Sequence, residues 1–475
     1  MKYEVIIGLE IHVETKTKTK MFSGASSVFD SPANTNVSVI DMAFPGTMPA
    51  VNKKAVENAI ILAHALNMEI DHELHFDRKN YFYSDLPKGY QITQDRRPIG
   101  SNGYLDLVLE KGTKRVNIER LHMEEDTAKQ IHLAEFTLID YNRAGLPLVE
   151  IVTKPDIRTG EEAMAFVEAI REIVTFTNVS DGKMEEGSLR CDVNISLRPI
   201  GSDKFGTKVE VKNLNSISNI GKVIDAEIKR QSALLDAGKK VLSETRRYDE
   251  SVKDTVLMRL KDDGVDYKYF PEGNIAPITL EKDYVAKVIN MMPELPNIKK
   301  KRYLNEYKLN NHEVNIILQS KDLTLYFDEA TNYTANYKTL INWVIGEVSA
   351  YLNKEGKTIK DIKLAPQNLA KLVNLVNDGK LSNAQAREVF NAIVMTNDDP
   401  EAKAKALNLV QVSDTDFILK VINEVIDENL NVIDDIKNGK DRAMGFLVGQ
   451  VMKKTKGKVN PALASSLMKE EINKR

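Results

Sequence analysis

Cysteine is almost missing: Cys191 is the single one in 475 residues. That excludes an internal disulfide framework and a four-cysteine zinc site, and it fits a reduced, intracellular compartment. Long apolar runs are missing too. No stretch reaches the roughly 18 consecutive apolar residues of a membrane span. The opening Met1-Lys2-Tyr3-Glu4-Val5 reads as a strand without the regions of a secretory leader. A cytoplasmic protein without a membrane partner is expected. Excess charge of one sign is absent as well, since 66 basic against 69 acidic residues leave −3. A polyanion-binding coat and DNA as a partner are therefore not expected, and nucleic-acid contact is confined to a local patch.

Familiar catalytic signatures are also lacking. Gly356-Lys357-Thr358 has Tyr351 where a phosphate-binding loop needs glycine, so it reads as a turn. There is no nucleophile elbow and no glycine-serine amidase signature. Cys191 falls on the apolar face of its strand, as a buried inert thiol. The chain has no evident means of hydrolysing an amide.

What is present is enough apolar residue, 42%, for a large core and two to four domains. Residues 1–292 mix alternating strands with amphipathic helices, an α+β pattern. Thr159-Gly160-Glu161-Glu162 has the form of a capping box ahead of Ala163, Phe166, Ile170 and Ile173. Asn52 caps a helix carrying Val56, Ala59, Ile60 and Ala63. Pro293-Glu294-Leu295-Pro296, followed by Lys299-Lys300-Lys301-Arg302, marks a boundary. Beyond it the pattern is helical, with a second break at Asn397-Asp398-Asp399-Pro400 and a last helix started by Asn460-Pro461. The expected division is 1–292, 293–404 and 405–475.

The chemistry gathers on strand faces. In Val5 to Glu14, the period of two puts Val5, Ile7, Leu9, Ile11 and Val13 on one side and Glu10, His12 and Glu14 on the other. Arg190, Asp192, Asn194, Ser196 and Arg198 share one face of a second strand, and Lys208, Glu210 and Lys212 one face of a third. Leu121-His122-Met123-Glu124-Glu125-Asp126 packs three carboxylates together, and Glu150 ends an apolar run. Crowded acids raise one another's pKa unless a cation compensates. Carboxylates, arginines and lysines on one face suit divalent ions and a triphosphate; each segment alone is also an ordinary half-exposed strand or solvated turn. Near the C-terminus Lys437, Lys440, Arg442, Lys453, Lys454, Lys456 and Lys458 stand with Asp441 as their only acid. On this stretch alone a solvated helical face accounts for that cluster better than a nucleic-acid patch does.

At these residues the sequence resembles the B-subunit family of tRNA-dependent amidotransferases. The likeness runs through Gly8-Leu9-Glu10-Ile11-His12-Val13-Glu14, Arg78-Lys79-Asn80-Tyr81-Phe82-Tyr83 and Asp85-Leu86-Pro87-Lys88-Gly89. It continues in Asp140-Tyr141-Asn142-Arg143-Ala144-Gly145, Gly187-Ser188-Leu189-Arg190-Cys191-Asp192 and Glu210-Val211-Lys212-Asn213-Leu214-Asn215. Tyr267-Lys268-Tyr269-Phe270-Pro271-Glu272, Phe446-Leu447-Val448-Gly449-Gln450 and Lys456-Gly457-Lys458-Val459-Asn460-Pro461 complete it. Two departures stand out. Ser38 and Asp41 occupy places where many relatives carry Cys-x-x-Cys, so a structural zinc is not expected. Ser84 stands where proline is common, though Pro87 and Gly89 keep the turn chemistry.

The resemblance implies a glutamine-synthetase-like catalytic cradle, a helical domain and a small helical YqeY-like tail that holds tRNA. It also implies an amidase A subunit that releases ammonia from glutamine, a small C subunit, and misacylated Glu-tRNA or Asp-tRNA as substrate. Nothing the size of the added domain of archaeal E subunits lies between Pro271 and Lys299, so the bacterial type is expected. The metal ligands expected for Mg²⁺, or Mn²⁺ given the imidazole, are Glu10, His12, Glu125 and Glu150. Arg190, Lys79 and Lys88 would offset charge on the transferring group beside Glu125. ATP is expected at Lys79, Tyr81, Lys88, Asp192, Asn194, Glu210 and Lys212, and tRNA at Lys440, Arg442, Lys453, Lys454, Lys456 and Lys458. Two other readings are a tRNA-binding scaffold with structural acids, and a small-molecule ligase of glutamine-synthetase type, which leaves the helical tail unexplained.

Overall fold

In a computed structural model of the chain, the described residues are 2–260, 266–409, 415–430, 432, 441–455, 459 and 461–474. The chain divides into two compact units, Met1–Pro296 and Asn297–Arg475.

The N-terminal unit is organised by a nine-stranded sheet. Its strands in chain order are β1 (Tyr3–Glu14), β2 (Glu69–Ile70), β3 (Gly100–Leu109), β4 (Gly112–Glu125), β5 (Pro147–Thr153), β6 (Leu189–Pro199), β7 (Val209–Leu214), β8 (Glu244–Asp249) and β9 (Asp254–Leu260). They lie in the order β9-β8-β7-β6-β1-β5-β4-β3-β2, antiparallel except for β7 beside β8. The alternation of β1 decides which face is which. Val5, Ile7, Leu9, Ile11 and Val13 are buried, and the helices Lys53–Ala65, Gly160–Phe176 and Ile217–Asp236 bury Ile60, Phe166 and Ile220 in the same core. A buried Ile or Leu contributes about 1.5–3 kcal/mol, so this one face supplies most of what holds β1 central. Glu10 and His12 are thereby left on the opposite, polar face.

The caps follow the sequence with one difference. Asn52 accepts from the Lys54 and Ala55 amides. Thr159 accepts from the Glu162 amide, but the Glu162 carboxylate takes the Arg158 N–H at 2.8 Å, so the expected capping box is only half formed. Gly89 donates to the Leu86 carbonyl and has φ of 71°, closing the turn around Pro87. Gly356 ends its helix in the left-handed conformation, which makes Gly356-Lys357-Thr358 a turn. Cys191 is buried, and burial pushes its thiol well up.

Asp41, at one of the two positions where many relatives carry cysteine, pairs with the fully buried Lys20 at 3.2 Å. The Lys20 ammonium also donates to the Tyr141 carbonyl. Removing one partner of a buried pair strands the other charge. Asp41→Ala should therefore cost about 3–5 kcal/mol, whereas Lys20→Met with Asp41→Leu should be about neutral. Hydrogen exchange at the Met21 amide, which donates to Gly145, reads the difference.

In the second unit every regular element among the described residues is helical, from Pro296–Asn305 to Pro461–Lys474. The basic run after the two prolines is part of a helix: Lys299 and Arg302 both pair with Asp328. Asp399 caps Pro400–Ala406, and this helix crosses the expected boundary at 404/405. The last helices build a core of their own from Ile418, Ile422, Val425, Leu447, Val451 and Met468. No helix among the described residues is long and apolar enough to cross a membrane.

Candidate metal and phosphate site

Strand register brings the acids together. His12 on β1 lies opposite Glu150 on β5, and Glu150 lies opposite His122 on β4. Residues directly opposite share a face, so the three side chains meet. The His12 Nε2 atom is 3.4 Å from Glu150, 3.7 Å from Glu124 and 4.0 Å from Glu10. His122 Nε2 is 3.4 Å from the same Glu150 oxygen and 3.6 Å from Glu124. Glu10-His12-Glu150 and His122-Glu124-Glu150 thus form two overlapping ligand groups that share Glu150.

Electrostatics within the group is strained towards cations. Burial and Glu150 raise the Glu10 carboxyl. Burial disfavours charge on His122, yet Glu150 and Glu124 outweigh it and bring the imidazole up to about 9. His12 moves up for the same reasons. Burial likewise works against Glu150, but the two imidazoles hold it well below the usual carboxylate range. A divalent ion fits these donors: ligand atoms about 2.1 Å from an octahedral ion lie roughly 3.0–4.2 Å apart, which brackets the spacings of 3.4–4.0 Å among the imidazoles and carboxylates. Three carboxylates suit Mg²⁺, and two imidazoles suit Mn²⁺ better.

Glu125 is not part of this group, which corrects the expected ligand set. Along β4, Leu121 and Met123 face the core while His122 and Glu124 face the other way, so the period of two sends Glu125 to the wrong side. Its carboxylate takes the Lys88 ammonium at 2.5 Å and the Ile92 N–H at 2.9 Å. His122 and Glu124 are the residues that sequence reasoning passed over, and the same alternation was the signal that could have found them.

The remaining expected residues surround the group. Lys79 lies 4.9 Å from the centre of the Tyr267 ring and 5.9 Å from that of Tyr81. Burial opposes its charge, but Glu124 and Glu150 raise its pKa, and it forms no ion pair among the described residues. Tyr81 donates to Gln91 at 3.4 Å. Arg190 is tied to Asp126 at 2.8 Å, and its Nε is buried without a partner among the described residues. Glu14, near Asp126, is pushed up to about 7 by burial and that neighbour. Lys212 pairs with Asp192 and with Glu210, which also accepts from Thr245. Asn194 lies on the same face, opposite Gly8. In the tail, Lys453 is exposed and Lys454 pairs with Glu424 and Glu428. Lys440, Lys456 and Lys458 lie outside the described residues, as does the side chain of Arg442.

Residues 5–286 match the model of the GatB/GatE catalytic domain, and residues 325–472 that of the GatB domain. The chain belongs to this family. It is 48% identical over 475 residues to the B subunit of an aspartyl/glutamyl-tRNA(Asn/Gln) amidotransferase from Bacillus mycoides (strain KBAB4), with all of both chains covered. Similar proteins of the same name in Bacillus cytotoxicus and Bacillus thuringiensis (strain Al Hakam) are 48% and 49% identical, again over the full length of each. The GatB/GatE match contains every strand of the nine-stranded sheet apart from the first two residues of β1, and with them both ligand groups.

Proposed function

We propose that the chain is the ATP-using subunit of an amidotransferase that converts Glu-tRNA(Gln), Asp-tRNA(Asn) or both into the amidated forms. The observation that carries this reading is the convergence of two imidazoles and three carboxylates from three adjacent strands around Glu150, in a chain of the GatB/GatE family. Glu10, His12, His122, Glu124 and Glu150 would hold one or two divalent ions, which when bound neutralise phosphate charge. Glu125 would instead fix Lys88.

In this reading a side-chain carboxylate oxygen of the tRNA-bound amino acid attacks the γ-phosphorus, the bond to ADP breaks, and an acyl phosphate forms. Ammonia then displaces phosphate and loses a proton to give the amide. Phosphoryl transfer asks mainly for positioning and charge. Lys79 is placed to offset the transferring charge, since Glu124 and Glu150 favour its protonated form and no carboxylate among the described residues pairs with it directly. Arg190, already bound to Asp126, would orient a phosphate or acyl oxygen with its remaining N–H. Asp192, Asn194, Glu210 and Lys212 would line the nucleotide, with Tyr81 beside Lys79.

The sheet, with helices on its apolar face and acids on the other, supports a cradle of glutamine-synthetase type. Three divisions, 1–292, 293–404 and 405–475, would carry the chemistry, a helical bridge and a YqeY-like tRNA-binding tail. Glutamine would be the nitrogen donor through an amidase A subunit, with a small C subunit completing a cytoplasmic heterotrimer. The complex reconstituted with each misacylated tRNA should form amide with ATP and glutamine. Failure with both tRNAs would leave the chain a binding scaffold.

The tail has its own test. Deleting residues 410–475, which leaves the helix Pro400–Ala406 whole, should lower tRNA affinity about tenfold or more and flatten its salt dependence. Unchanged affinity would return the basic cluster to a plain solvated face.

A further inference from the structure

The motif Tyr267-Lys268-Tyr269-Phe270-Pro271-Glu272 has no part in the chemistry described so far. It forms a strap along one edge of a three-stranded sheet. Phe270–Pro271 pairs with the strand Asp77–Asn80, which pairs in turn with Tyr90–Thr93. Tyr90–Thr93 is tied to β4, because the Gln91 amide donates to the Glu125 carbonyl at 2.7 Å. Lys79 therefore stands on the middle strand, between a fixed neighbour and the strap.

The residues on either side of Lys79 fasten that strap. Arg78 donates twice to Glu272, from Nε at 2.6 Å and from Nη2 at 2.8 Å. A forked pair of this kind fixes geometry as well as charge. The Glu272 carboxylate is fully buried and also accepts the Asn274 N–H at 2.8 Å. The Arg78 guanidinium lies 4.2 Å from the Tyr90 ring centre and 5.6 Å from that of Phe270, which packs it between strand and strap. Asn80 grips the other end. Its N–H donates to the Tyr267 carbonyl at 3.0 Å, and its side-chain amide to the Lys268 carbonyl at 2.8 Å. Tyr267 is thereby held with its ring centre 4.9 Å from the Lys79 ammonium, and Tyr269 backs that ring at 6.1 Å.

A lysine stem has many rotamers, and an ammonium that swings freely stabilises developing charge poorly. A carboxylate partner would fix the ammonium but cancel its charge. A ring face fixes it and leaves the charge available to a phosphate. We propose that Arg78 and Glu272 are positioning residues for Lys79: their ion pair fastens the strap, and the strap presents Tyr267 to the ammonium. Both act through Lys79. This role rests on the reading that Lys79 offsets the charge of the transferring group.

A double-mutant cycle with Lys79→Ala, read as kcat for amidation by the reconstituted complex, tests the role. Lys79→Ala alone should lower kcat about 10²-fold. Arg78→Ala and Glu272→Gln should each lower it about tenfold, with the KM for tRNA within about twofold of wild type. In the Lys79→Ala background either change should cost less than about twofold more, because the group it positions is gone. Tyr267→Ala removes the ring and leaves the buried pair whole, so it reads the same device should Arg78→Ala fail to fold. It should cost about fivefold, again only while Lys79 is present. Losses of full size without Lys79 would make the strap a brace of the fold and overturn the proposal. So would wild-type kcat in both Glu272→Gln and Tyr267→Ala, or a change confined to the KM for tRNA. Lys79→Ala at the wild-type rate would instead remove Lys79 from the chemistry, and this role with it.

Discussion

Glu150→Gln should abolish most ATP-dependent amidation, by about 4 kcal/mol or roughly 10³-fold in rate. Glu150 is the only residue common to both ligand groups, and one of its oxygens is 3.4 Å from each imidazole. The amide keeps the shape but removes the anion that lies against two histidines and that the proposed divalent ion would require. Loss of the central carboxylate should also weaken metal-dependent nucleotide binding, while the fold survives because β5 keeps Val149 and Ile151 in the core. Single-turnover amidation by the reconstituted complex is the measurement. A rate near wild type would remove Glu150 from the chemistry.

The neighbouring pair Glu124 and Glu125 gives the second large effect and a sharp contrast. Glu124→Gln should lower the rate about 10²-fold, the loss expected when a carboxylate that ligates or braces a metal is neutralised. Glu125→Gln should cost about tenfold or less, because it loosens only the Lys88 ion pair, worth about 1.5 kcal/mol, and keeps an acceptor for the Ile92 N–H. The metal dependence should shift in the first variant and not in the second. If the order were reversed, Glu125 would be the ligand and the alternation of β4 would be the wrong guide.

That pair also marks where sequence was a good guide and where it was not. The face of β1 was legible because strict alternation over Val5 to Val13 leaves a strand only one way to bury its apolar side. The shared face of Glu10 and His12 follows from this, and strand register sets Glu150 opposite His12. Three consecutive acids defeated the same rule at Glu124-Glu125-Asp126, since charge alone does not tell one strand face from the other. Applying the period from Leu121 and Met123 would have selected His122 and Glu124.

Long-range pairing was out of reach for a different reason. Lys20 and Asp41 are joined across a segment without regular structure, and no spacing rule predicts that a loop will bury a lysine against an aspartate. The half-formed capping box failed on a local competition: Arg158 offers its N–H to Glu162 before Thr159 can. The parallel pairing of β7 with β8 needed the crossover helix Ile217–Asp236, whose Ser216 cap and apolar face are plain in sequence, but not the edge to which it would return.

Pulsed electron paramagnetic resonance of Mn²⁺ added to the full chain addresses the ligand groups most directly. Bound Mn²⁺ should show echo modulation from imidazole nitrogen, reduced in His12→Ala and in His122→Ala and lost when both are replaced. Mn²⁺ that stays free, or binds with no nitrogen coupling, would contradict a metal centre built on β1, β4 and β5.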